Sequence, residues 1–112
     1  MSEIKEITEA LISFRDERNW KQFHKPKDLA LAISIEAGEL NELFLWKKEE
    51  EISSIPLERI KEELADVLAY AFLLAENYNV DPKEIILEKI KKNALKYPVE
   101  FSKDNARKYN DL

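Results

Sequence analysis

LADVLAYAFLLA, residues 64–75, carries a single charge, Asp66, in a run that is otherwise apolar or small. Glu63 heads the helical series Glu63, Val67, Tyr70, Leu74, and the pattern predicts a helix that opens with Pro56 in its first turn and continues to about Tyr78. A helix apolar on all sides must be covered on all sides. That places this one inside a helical assembly and makes Asp66 the residue to explain. Burying an unpaired carboxylate costs several kcal/mol or forces it to protonate, and no Lys or Arg lies within the run to pair with it.

Moving outward, IEAGELNELFLW, residues 35–46, contains the only glycine of the chain, Gly38, between Glu36 and Glu39. Glycine within a helix costs roughly 1 kcal/mol relative to alanine. Its presence suggests that a neighbouring helix or a bound ligand comes close to the backbone there. The helix holding it is expected from an Asp28 N-cap to about Lys47, with the apolar stretch LALAISI buried. Its series Leu29, Ile33, Glu36, Leu40, Leu43 places a carboxylate in an apolar slot, and a second face reads Ile35, Glu39, Glu42, Trp46.

Two more helices flank this pair. Ile4, Ile7, Leu11 and Phe14 repeat at spacings of three and four, giving an amphipathic first helix from about Ser2 to Arg18. Asp81-Pro82-Lys83-Glu84 supplies an N-cap, a proline at the first helical position and an acid at the third. The last helix stops near Tyr97, because Pro98 disfavours helical geometry in the residue before it. The fold class expected is all-α: a four-helix antiparallel bundle in one domain, residues 1–112, completed by oligomerisation, as a dimer or tetramer. The segment NWKQFHKPKD reads as a loop, yet it holds Trp20, Phe23 and His24, which either fold onto the core or line a pocket.

Glu36 and Glu39 are three residues apart, as are Glu63 and Asp66. Such pairs lie about 5–6 Å apart on one helix face, so on two antiparallel neighbours all four carboxylates can converge. The plain alternative, a solvated helix face, suits Glu49, Glu50, Glu51, Glu58 and Glu62 but not Asp66. A ferritin-like di-iron site needs two Glu-x-x-His motifs, and the one histidine, His24, sits in a proline-flanked loop. Oxygen-only ligation suits Mg²⁺ or Mn²⁺, with positions left open for phosphate oxygens and water.

Composition narrows the rest. A chain of 112 residues with 45% hydrophobic and 37% charged residues is expected to be globular, and without cysteine it has neither disulfides nor thiolate metal sites. A net charge of −5 argues against general nucleic-acid binding. With no signal peptide at MSEIKEITEA and no apolar run near the roughly 20 residues of a membrane span, a cytoplasmic location away from membranes is expected.

EAGEL followed by EELADVLAY resembles the paired ExxE and ExxD signature of the MazG-like, all-α nucleoside triphosphate pyrophosphohydrolases. ERNWKQFHKP, EAGELNELFLW, the N…YPV of Asn93 to Val99 and the terminal KYNDL are similar, more narrowly, to the animal dCTP-pyrophosphatase branch. The resemblance covers nearly the whole chain, with a gap around residues 47–60. It implies Mg²⁺-dependent hydrolysis of a (deoxy)nucleoside triphosphate, dCTP or a modified dCTP, between the α and β phosphates, in a homo-oligomer. By the same resemblance Glu36, Glu39, Glu63 and Asp66 are the metal-binding, catalytic residues. Trp20, Lys21, Gln22, Phe23 and His24 match a substrate-contacting segment, Trp46 and Tyr70 nucleoside contacts, and Asn93, Lys96 and Tyr97 a motif near the phosphates or sugar. The animal enzymes resembled have histidine where this chain has Leu11, which puts strict cytosine preference in doubt. Lys96, Arg107 and Lys108 are candidates to stabilise the departing pyrophosphate, with ordinary surface cations as the alternative. Outside this reading stand a non-catalytic helical interaction protein and, within the enzyme class, activity on another nucleotide such as dUTP.

Overall fold

The computed structural model describes residues 2–112, and among these there is no β-strand. The elements are α1 (Glu3–Glu17), α2 (Pro26–Glu42), α3 (Leu57–Asn77), α4 (Pro82–Lys96) and α5 (Val99–Ser102), with turns of 3-10 helix at Lys21–Phe23, Glu49–Ser54 and Tyr109–Asp111. The all-α expectation therefore holds, with its four principal helices. The chain divides into two compact units, Met1–Asn79 and Val80–Leu112.

In the first unit α2 packs along α3, and α1 packs against α3 over a smaller area. The pairing of α2 with α3 is antiparallel. Asn77, at the end of α3, donates from its side chain to the carbonyl of His24 just before α2 (3.2 Å). At the other end, carboxylates from late α2 and early α3 meet. The sealed core is small: Leu29, Leu43, Ile55, Leu73 and Ala75. The run LALAISI is consequently not buried within one chain as expected. Leu29 is sealed, but Leu31 and Ile35 are each more than half exposed.

Helix ends depart from expectation in informative ways. Helix α2 starts earlier, capped by Lys25 with Pro26 at its first position, so Asp28 is a first-turn acid and not the N-cap. Pro at the first position has the φ a helix needs and lacks only an N–H that would be unpaired there. Helix α2 also stops at Glu42, short of Lys47, and four turn residues carry the chain to Trp46. Trp46 has φ 62° and is 90% exposed. A left-handed backbone at a bulky residue costs about 1–2 kcal/mol, and at Trp46 it also throws the indole clear of the helix it was expected to extend. Pro56 is the N-cap of α3 and not its first helical residue.

In the second unit, Asp81 caps α4 by accepting from the Lys83 N–H (2.9 Å), with Pro82 first, as the sequence reading held. The tail, which showed no sustained period, folds into α5 and the 3-10 turn at Tyr109–Asp111. Tyr109 lies edge-on to Tyr97 (6.1 Å between centroids), with the Lys96 ammonium 5.0 Å from its ring centre.

Candidate functional site

Glu36 and Glu39 occupy successive turns of α2 and face Glu63 on α3. One oxygen from each of the three lies within 4.8 Å of the others. Like charges this close repel, and each needs either a proton or a cation. Glu36 shows the strain most: desolvation first, then Glu39, Asp66 and Glu63, push its carboxyl up to about 7. Desolvation and the same neighbourhood raise Glu63, against a small opposing pull from Arg59. Glu36 Oε2 and Glu63 Oε2 are both sealed from water with no hydrogen-bond partner among the described residues. Buried acceptors are nearly always satisfied, so two orphans pointing at one cluster fit a hard cation with oxygen ligands.

Asp66 lies outside this triangle. It is exposed in the single chain, not buried as the apolar run suggested, because one side of α3 is left open at Leu64 (44%) and Leu68 (50%). It is one helical turn beyond Glu63, and its charge still raises Glu36, Glu63 and Tyr70. Glu49, Glu50, Glu51, Glu58 and Glu62 are all exposed, as the solvated-face reading required.

From Asp66 a cavity of about 260 Å³ extends along α3 past Ala69 and Tyr70 to Leu73. Its far side comes from α1 and the segment after it: Leu11, Phe14 and Arg15, then Trp20 and His24. The turn that delivers Trp20 is local chemistry. Asn19 takes φ 53°, which a short amide side chain tolerates. The Trp20 N–H then bonds to the Arg15 carbonyl (3.1 Å) and the Asn19 N–H to that of Asp16 (3.0 Å), the Schellman pattern of a helix end. It folds Trp20 back, edge-on to Phe14 at 5.9 Å. His24 follows a 3-10 turn and meets Tyr70 edge-on at 6.5 Å. Desolvation, with Arg15 nearby, lowers the His24 pKa, so the ring is neutral at neutral pH. Desolvation and the carboxylates of Glu36, Asp66 and Glu39 raise Tyr70, so its hydroxyl keeps its proton.

The structure thus brings together Glu36, Glu39, Glu63, Asp66 and Tyr70, with Trp20 and His24 across the cavity. Lys21, Gln22 and Phe23 form the 3-10 turn and do not line it; Gln22 bonds to the Asn19 carbonyl and Phe23 is 63% exposed. Trp46 lies outside the lining as well. Asn93, Lys96 and Tyr97 belong to the second unit.

A MazG-like family model matches residues 31–112. The chain belongs to the MazG-like family. It is similar to dCTP pyrophosphatase 1 of Bos taurus, 42% identical over 97% of this chain and 68% of the relative. It is also similar to dCTP pyrophosphatase 1 of Homo sapiens, 40% identical over 97% of this chain and 67% of the relative. Among solved structures, a pyrophosphatase from Archaeoglobus fulgidus DSM 4304 superposes with a TM-score of 0.82 at 38% identity, over 88% of this chain and 94% of that one.

Sequence reading of this MazG-like chain passed over Arg15, which is 5% exposed and bound to two acids. A signal was present. The inward stripe of α1 is Ile4, Thr8, Leu11, Arg15, whereas Ile7 and Phe14 are about half exposed. A charge in an apolar slot is the mark that singled out Glu36, and it applied equally to Arg15.

Proposed function

We propose that the protein is a nucleoside triphosphate pyrophosphohydrolase that converts dCTP or a modified dCTP to the monophosphate and pyrophosphate. The observation that carries this is the triangle of Glu36, Glu39 and Glu63, with two orphaned oxygens, one helical turn from Asp66, which opens a cavity walled by aromatic rings. The kinship with dCTP pyrophosphatases and with a pyrophosphatase structure supports both the enzyme class and the nucleotide.

Glu36, Glu39, Glu63 and Asp66 are the residues to hold Mg²⁺, with Mn²⁺ as an alternative of the same chemistry. When bound, the ion supplies charge neutralisation for phosphate oxygens and lowers the pKa of coordinated water. The chain's own part is positional and protolytic. The carboxylates would hold the ion at the triphosphate end, while Trp20 and Tyr70 enclose the nucleoside end in the cavity. Glu39 is the preferred general base, accepting the proton of the water that attacks the α-phosphorus as the α–β bridging bond breaks. The chain leaves Trp46 90% exposed in a left-handed backbone, which suits a ring that meets a nucleoside or a second copy. Lys96, with Asn93 on the same helix and Tyr97 at its C-cap, is the candidate to meet phosphate or sugar.

The working unit is proposed to be a homo-oligomer, with residues 1–112 as one functional module, since the family match runs across both units. Leu31, Ile35, Leu64 and Leu68 of α2 and α3 are each 44–55% exposed, and a second copy would cover them. Gly38 fits this reading better than packing within the chain: a Cβ built there meets nothing within 4 Å. Of the two expectations at Gly38, close approach of a neighbouring helix of the same chain is therefore corrected, and approach of a bound ligand stays a proposal.

The deciding experiment offers canonical and modified triphosphates with Mg²⁺ and separates the products. Monophosphate and pyrophosphate in equal amounts support the reading; release of orthophosphate, or no turnover, overturns it.

A further inference from the structure

We propose that Arg15 is the specificity-determining residue of the cavity, its guanidinium reading the acceptor edge of a nucleobase. This rests on the proposed function above, which places the phosphates at the carboxylates and leaves the base to the cavity.

Arg15 is built in rather than displayed. Its Nε donates to Asp16 Oδ1 (2.9 Å) and its Nη1 to Glu76 Oε2 (3.2 Å). Two acids fix the plane of the guanidinium, so little freedom remains to be lost when a ligand binds. Nη2 has no hydrogen-bond partner among the described residues, and Arg15 lines the cavity. Leu11, Phe14, Trp20 and Leu73 form the apolar part of the lining, and His24, Tyr70 and Asp66 its polar part. An N–H donor held in a largely desolvated wall rewards an acceptor and penalises a donor.

Position excludes the phosphates as its target. Glu76, which holds Nη1, is ten residues beyond Asp66 on the same helix, or about 15 Å along the axis. With phosphates at Glu63 and Asp66, the part of a nucleotide able to reach Arg15 is its base. Volume admits a base but not a whole nucleotide: the cavity of about 260 Å³ falls just under the roughly 300–1,000 Å³ of sites for whole small ligands. Chemistry narrows the base. Cytosine offers N3 and O2 as adjacent acceptors, whereas uracil and thymine put an N3–H donor beside O2 and would set donor against donor. Arg15 therefore selects cytosine over uracil at a site where Leu11 offers no polar contact.

The test compares kcat/KM for dCTP, dUTP and dTTP in the wild type, Arg15→Met, Arg15→Lys and Glu76→Gln. The wild type should favour dCTP over dUTP by at least about 5-fold, the lower end of what a good donor–acceptor pair discriminates. Arg15→Met should bring that ratio close to one, mainly by raising KM for dCTP, with a smaller effect on dUTP. Arg15→Lys should fall between, keeping charge without the planar fork. Glu76→Gln should lower the melting temperature yet leave the ratio within about twofold, which separates base reading from support of the fold. A uniform loss for all three nucleotides in Arg15→Met would make Arg15 structural and overturn the proposal, as would a wild type that turns over triphosphates without preference. If Arg15→Met does not fold, Arg15→Lys decides: an unchanged base ratio overturns the proposal. A wild type that hydrolyses none of them defeats the reading of the site itself and this proposal with it.

Discussion

The two stretches of α3 that flank its cavity-lining part, Asp66 to Leu73, handle charge in opposite ways. At the end near Glu63 the charges are alike and unpaired: three carboxylates crowd within 4.8 Å and two oxygens have no partner. At the end near Glu76 the charges are opposite and matched: the buried Arg15 is bracketed by Asp16 and Glu76. The matched end is complete within the fold and retains one nitrogen without a partner. The unmatched end needs a proton or a cation to relieve it. Crowded like charge is unstable alone, which is why the cation is proposed there, whereas paired charge holds its surroundings in place.

The sharpest way to break this contrast is to remove charge at the unmatched end. Asp66→Asn is expected to lower kcat by about 10²–10⁴-fold, the usual reach of a group acting in acid–base or electrostatic catalysis, while circular dichroism and the melting temperature stay near wild type. Near-normal kcat at saturating Mg²⁺ would remove Asp66 from the site. Loss of charge at the matched end should do the reverse. Glu76→Ala leaves a nearly sealed guanidinium short of one partner and should cost about 1–3 kcal/mol in urea unfolding, with kcat for dCTP little changed. If kcat collapses instead, the two ends are not separable.

Trp46→Ala should raise KM by about 1–3 kcal/mol if a base stacks on the ring. Since the side chain is 90% exposed, its removal should leave the thermal stability of the single chain intact. A variant that merely melts earlier makes Trp46 an interface residue.

Acidity supplies a further contrast. The Glu36 carboxyl sits at about 7, above its ordinary 4.5, so the folded metal-free protein binds more protons than the unfolded chain between those values. Stability should then fall as pH rises from about 4.5 through 7 and level off above. Glu36→Gln should flatten that slope, as followed by urea midpoints across pH. Smallest is Gly38→Ala, expected to add up to about 1 kcal/mol of helix stability wherever the position faces open space. A loss in the assembled protein shows that a second chain or a ligand lies against that backbone.

The same contrast explains what could be read from sequence. The acids were legible because Glu36 and Asp66 interrupt apolar periodicity with no local partner, and helix geometry brings residues three apart together. Asp66 turned out exposed within one chain because the opposite side of α3 is uncovered, and a sequence cannot say which apolar face a second molecule is to cover. The α2 end was misjudged because LFLW continues the apolar pattern, while the turn after Glu42 carries no glycine or proline to announce it. Arg15 was overlooked because its partners come from opposite sources, Asp16 beside it and Glu76 sixty-one residues away, and only the second reveals the burial. Lys21, Gln22 and Phe23 share a motif with Trp20 and His24, yet a 3-10 turn aims neighbouring side chains in different directions.

Whether the carboxylate triangle takes a divalent cation is decided by titrating the purified protein with Mg²⁺, followed calorimetrically and by melting temperature. Saturable binding is expected, with a rise in stability that reaches about 2.7 kcal/mol when Mg²⁺ is a hundredfold above its Kd, both lost in Glu36→Gln and Glu63→Gln and retained in Arg15→Lys. No binding and no stabilisation in the wild type, or stabilisation that survives the loss of Glu36 and Glu63 together, would contradict a cation site there.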